Sequence, residues 1–158
     1  MLGAPMKLII GLVALLFANA AAWASDVKLV SEIFVERVQQ DAQGKAKVVL
    51  EEPKMVTPGD KLLFVLAYKN EGKADAADFV INNPIPASVS FAGTDSQDAV
   101  MSVDGGKTWG KLSSLKVSQP DGTVRSAGPS DVTHVKWQFV RPIPAGSSGK
   151  VNFSAVVK

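Results

Sequence analysis

The chain is 158 residues long, contains no cysteine, and carries a formal charge of +2 from 17 Lys and Arg against 15 Asp and Glu. The missing cysteine excludes disulfides, thiolate metal sites and a lipid-modified cysteine anchor. The basic residues are scattered, with no stripe or arginine-rich run, which argues against a nucleic-acid partner.

In chain order, the first segment reads as a secretory signal peptide. Lys7 gives a small positive start, "LIIGLVALLF" (Leu8 to Phe17) is an unbroken apolar run, and Ala22-Trp23-Ala24 is a small-x-small cleavage pattern. The apolar run falls short of the roughly 20 residues a transmembrane helix needs. Residues 1–24 are therefore expected to be removed on export, leaving 25–158 as one domain in the periplasm or outside the cell. No later apolar run reaches spanning length, so no membrane span is expected after cleavage. A domain of this size can bury a sufficient core without disulfides.

From there on the pattern is strand-like. Val, Ile, Phe and Trp recur with period two, and Gly, Pro, Asn and Asp clusters divide the runs. "SEIFVERVQQ" and "AKVVLEE" flank the turn "DAQGK", and "VTPGDK" turns into "KLLFVLAYKN", the longest apolar strand. "NEGKADA" turns again into "ADFVINNPIP". Short strands are expected at "SVSFAG", "AVMSVD" and "GKTWGKL". "VSQPDGTVRSAGPSD" reads as loop with room for a hairpin, and "VTHVKWQFV" and "GKVNFSAVVK" close the chain. No helical periodicity persists. The expected fold is all-β, an antiparallel immunoglobulin-like β-sandwich of about seven to nine strands. Leu62, Phe64, Leu66 and Tyr68 share one face of the long strand and are assigned to the core, with Val135, Trp137, Phe139, Val151, Phe153, Ala155 and Val157. The opposite face, Leu63, Val65 and Ala67, is also apolar, which a solvated sandwich strand rarely is. The N-terminal segment, a loop or a partner subunit is expected to cover it.

Three separated pieces, "PGDKLLFVLAYKNEG", "ADFVINNPIPASVSF" and "VKWQFVRPIPAGSSGKVNF", occur in an order that resembles the conserved-repeat β-sandwich domain, the domain-of-unknown-function family eleven of bacterial and archaeal surface proteins. The resemblance covers about residues 54–158. It implies a sandwich with a structural, adhesive or unknown role, and its motif residues are folding residues that say nothing about catalysis. The motif residues suit turns: Gly59 and Asp60 before the long strand, Asn70 and Gly72 after it, with Gly146 and Gly149 bending the chain into the last strand. The family usually occurs in tandem, whereas this chain has one copy.

"SVDGGKTW" (Ser102 to Trp109) fits S-x-D-x-G-x-x-W and resembles the Asp-box hairpin of sialidases and other β-propellers. A propeller needs four or more blades, and one motif cannot supply them. The arginines Arg37, Arg125 and Arg141 are widely separated, and the single Tyr68 is assigned to the core. The motif is therefore read as a hairpin in which Asp104 accepts backbone hydrogen bonds, Gly105 and Gly106 allow positive φ, and Trp109 packs back. Asp104 and Trp109 are also the candidate ligand platform, for a glycan. Asp95, Asp98 and Asp104 are oxygen ligands of a kind that binds calcium, at a spacing that fits no EF-hand loop. His134, the only histidine, is expected on the solvent side of its strand. No cofactor or metal site and no catalytic constellation is expected.

These readings converge on an exported, non-enzymatic subunit, structural, assembly or adhesive, acting through a protein partner or self-association at the cell envelope. One form of it is strand addition through "VKLVSEIFVERVQQ". The alternatives are a carbohydrate-binding module and, more remotely, a glycan hydrolase.

Overall fold

The computed structural model describes residues 26–158; the signal peptide expected at residues 1–24 lies outside them. The fold is all-β and antiparallel, as the period-two pattern requires. Ten strands run in chain order: β1 (Val27–Gln40), β2 (Ala46–Glu51), β3 (Lys61–Asn70), β4 (Val80–Pro84), β5 (Val89–Gly93), β6 (Val100–Ser102), β7 (Lys116–Ser118), β8 (Val124–Ser126), β9 (His134–Gln138) and β10 (Ser148–Val157). Strands β2-β1-β3-β10-β5 form one sheet and β4-β9-β6 a second. The hairpin β7-β8 lies within the stretch expected to be mostly loop.

The core lies between the two larger sheets. Leu62, Phe64 and Leu66 of β3 are buried, with Phe153 and Ala155 of β10 and Val135 and Trp137 of β9. Phe153 sits at the centre. It stacks on Phe64 with centroids 4.5 Å apart and lies 6.4 Å from Trp137 across the two sheets. Burying a Phe of this kind contributes roughly 2–3 kcal/mol. At one end Tyr68, Phe79 and Phe139 form a second aromatic cluster.

Three local expectations are corrected. "GKTWGKL" is not a strand: the chain there closes the Asp-box turn, and Gly110 alone bridges back to Met101. Gly149 does not bend the chain; it lies inside β10, directly opposite Tyr68. A methyl group there would come 2.6 Å from the Tyr68 ring carbon bearing the hydroxyl, so glycine is what admits the ring. The N-terminal segment does not cover Leu63, Val65 and Ala67. It joins the sheet edge-on, as β1 beside β3, and that face of β3 stays partly accessible.

Candidate functional site

The Asp-box is a saturated turn. Lys107 and Thr108 donate backbone N–H bonds to Asp104 Oδ1 at 3.1 and 3.0 Å. The hydroxyls of Thr108 and Ser102 donate to the same carboxylate, each at 2.7 Å. The Thr108 amide and hydroxyl, then Ser102, hold the carboxyl well below the usual carboxylate range. Gly105 and Gly106 adopt φ of 76° and 87°, which lets the chain wrap around that carboxylate. Trp109 is half-buried. His134 meets its ring edge-on at 6.2 Å, and the Lys136 ammonium sits 4.1 Å from its centroid. One face of the indole thus carries a cation, where a sugar platform would present a free face. His134 and Lys136 are the outward residues of β9, now seen to be the seat of Trp109.

The motif turns are anchors too. Arg37 of β1 donates to both carboxylate oxygens of Asp60, at 2.6 and 3.1 Å, and the Thr57 amide donates to Asp60 at 2.8 Å. The guanidinium first, then the Thr57 amide, lower the Asp60 carboxyl to about 2. Gly59 precedes it with φ of 94°. Asn70 is only 1% exposed. Its amide donates to the carbonyls of Ala74 and Ile143 at 2.9 and 2.8 Å and accepts the Gly72 N–H at 3.0 Å. Pairing of Arg125 with Asp131 at 2.6 and 2.7 Å, and of Arg37 with Asp60, leaves both guanidiniums occupied within the fold. Asp95 and Asp98 do not join Asp104. Among the described residues no three His, Asp or Glu side chains gather as metal ligands.

The feature that stands out is the first sheet around β1. Its pairing with β3 runs without interruption from Val27↔Asn70 to Val35↔Leu62. On its other side β2 covers only Val35–Gln40, so Val27–Phe34 is an open edge. Hydrogen-bond parity shows which groups are free. The Glu71 N–H donates to the Asp26 carbonyl, and the Asp41 N–H to the Lys45 carbonyl. Even-numbered residues of β1 therefore bond toward β3 and odd-numbered ones toward β2. Val27, Leu29, Ser31 and Ile33 point their N–H and C=O groups at no strand among those described.

Apolar side chains surround this edge. Leu29 and Ile33 point to the core side but remain 45% and 40% exposed, because β1 packs chiefly with β2 and β3. On the outer face Val30 lies beside Ala67 and Phe34 beside Leu63. The face continues onto the projecting β1-β2 ribbon, where Val38 pairs with Val48 and the two are 72% and 57% exposed. At the opposite end Lys28, Lys69 and Lys150 rim a shallow apolar depression over Val30 and Ala67. The sequence singled out Leu63, Val65 and Ala67; it missed Val38, Val48 and Leu50, whose common face depends on the hairpin register.

No protein-family model, no curated protein and no solved structure matches the chain. Among the described residues no helix is long and apolar enough to cross a membrane.

Proposed function

We propose that this protein is an exported, non-enzymatic subunit of the cell envelope that works by protein–protein contact, as a structural, assembly or adhesion component. The observation that carries the proposal is the gathering of apolar side chains on the outer face of the first sheet, Val30 with Ala67, Phe34 with Leu63, and Val38 with Val48, interrupted by Glu32 and Glu36. Apolar residues scattered singly are normal on a surface, whereas several large ones gathered on one sheet face favour a contact. The anchoring roles of Gly59, Asp60, Asn70 and Gly72 support membership of the conserved-repeat family. The carbohydrate-binding alternative rests on Trp109, and the cation above that ring weakens it.

The test is size fractionation of envelope extracts from producing cells, for the wild type and for Val38→Asp/Val48→Asp. Both positions lie on the exposed ribbon, so the core is untouched. The wild type is expected in a complex larger than one chain, and the variant in a smaller species that has lost that complex. A wild type that runs as a free monomer, with or without cross-linker, overturns the proposal.

A further inference from the structure

We infer that the open edge of β1 is filled by β1 of a second copy of this chain, in antiparallel register about Val30, joining two sheets into one. The inference deepens the protein-contact reading above and rests on it.

Backbone parity limits the registers. The free groups belong to Val27, Leu29, Ser31 and Ile33, so only a register that opposes odd residues to odd residues forms the ladder. With Val30 opposite Val30, Val27 faces Ile33 and Leu29 faces Ser31. Each pair occurs twice by symmetry, giving about eight new hydrogen bonds. Directly opposed residues share a face, so the two core sides coincide and the outer faces run on continuously.

The side chains single out this register. On the outer face it sets Lys28 opposite Glu32 on both sides of the axis, with Val30 against Val30 between them. On the core face the exposed Ile33 meets Val27. A shift by one allowed step in one direction sets Glu32 opposite Asp26. The opposite shift sets Val30 opposite Glu32 and Lys28 opposite Phe34, and a further step opposes Glu32 to Glu32. Like charges directly opposed destabilise a sheet, and opposite charges stabilise it. Only the Val30-centred register pairs both charges.

The length of the slot agrees. It closes at Val35, which β2 occupies through Glu51, and Pro53 follows soon after. In the Val30 register the partner's Asp26 falls opposite Phe34, one position short of Val35. Cleavage after Ala24, as proposed for export, leaves nothing upstream of Ser25 to collide with β2. The arrangement is isologous about a two-fold axis, the commonest symmetry of closed homo-oligomers.

The experiment uses the exported protein, by light scattering over a concentration range and by cysteine cross-linking. The chain has no cysteine of its own, so any introduced thiol reports alone. Val30→Cys places two thiols on the axis in a non-hydrogen-bonded pair, with Cα atoms about 4.5 Å apart, within the range of a disulfide. It is expected to give a disulfide-linked dimer on mild oxidation, while Ser31→Cys and Val38→Cys do not. Ser31→Pro removes only an outward N–H, leaves the β3 ladder intact, and is expected to abolish the dimer. Glu32→Lys is expected to weaken the dimer about tenfold, and Lys28→Glu/Glu32→Lys to restore it.

A monomer at every concentration up to about 300 µM, with no Val30→Cys cross-link, overturns the inference. So does a larger species that cross-links through Ser31→Cys or Val38→Cys and not through Val30→Cys; that result leaves the protein-contact reading standing. Larger assemblies in which Val30→Cys cross-links support it.

Discussion

Asn70→Ala tests the claim that a motif residue expected in the exit turn of the long strand is an internal anchor. The substitution deletes three side-chain hydrogen bonds, to Ala74, Ile143 and Gly72. At about 1 kcal/mol net for each, the loss is about 3 kcal/mol. Carbonyls left unpartnered in a buried site raise it toward about 5 kcal/mol. Against a total stability of about 5–15 kcal/mol, that lowers the folding equilibrium constant at least a hundredfold. The effect should also reach β1. Asn70 lies opposite Val27, and its neighbour Glu71 bonds to the Asp26 carbonyl, so the register at the open edge starts there. The assay is urea unfolding followed by tryptophan fluorescence, with the slope against denaturant checked for constancy. Asn70→Asp retains the acceptor for Gly72 but turns a carboxylate oxygen toward two carbonyls. It is expected to be at least as destabilising at neutral pH and partly relieved on acidification, when the carboxyl protonates. A loss below about 1 kcal/mol for Asn70→Ala would refute the anchoring argument.

Gly149→Ala drives a methyl into the Tyr68 ring, which is held by Phe79 and Phe139; a loss of about 1–3 kcal/mol is expected by denaturant titration. Ser102→Ala removes the buried hydroxyl that donates to Asp104 and accepts the Gly106 N–H at 2.9 Å, and should cost about 1–3 kcal/mol by the same assay. Asp60 has a folded value of about 2, below its ordinary 3.8. Its contribution is therefore complete above about pH 4 and disappears as pH falls toward 2. Asp60→Asn should flatten the fall in melting temperature across that window, without abolishing it, because Asp104 and Asp131 are lowered as well.

The fold class was legible because antiparallel strands write their two faces into a period of two. Leu62, Phe64 and Leu66, Val135 and Trp137, and Phe153 and Ala155 all show it, and all are buried. Turn chemistry located the breaks at Gly59-Asp60 and Gly105-Gly106, because positive φ and a short acceptor side chain are local demands. What the local pattern could not carry was pairing. Asn70 reads as a turn residue until Ile143, far along the chain, is seen to need its amide. Lys136 reads as a solvated residue until Trp109 arrives beneath it. The candidate site was half legible: the doubly apolar β3 announced an exposed face. The free edge of β1 depends on where β2 stops, and only the register tells that.

The edges of this molecule are not alike, and the difference bears on what β1 is for. Unpaired strand edges invite association, and natural sheets blunt them with short strands, prolines, bulges and inward turns. β6 is three residues long and runs into the Asp-box. β4 ends in Pro84. The register of β5 with β10 is broken at Ser154/Ala155. β1 has none of these devices between Val27 and Phe34: no proline, no glycine, no shift in its pairing with β3. It has instead a Lys and a Glu spaced symmetrically about Val30, which do not prevent pairing but choose its register. An edge guarded against any partner would carry like charges or a break. One that carries a self-complementary pair admits an antiparallel copy of itself and penalises slipped arrangements that oppose Glu32 to Asp26 or Glu32 to Glu32. The outer apolar face follows from the same geometry, because joining two copies through β1 doubles that face and leaves it on one side, free for a further contact.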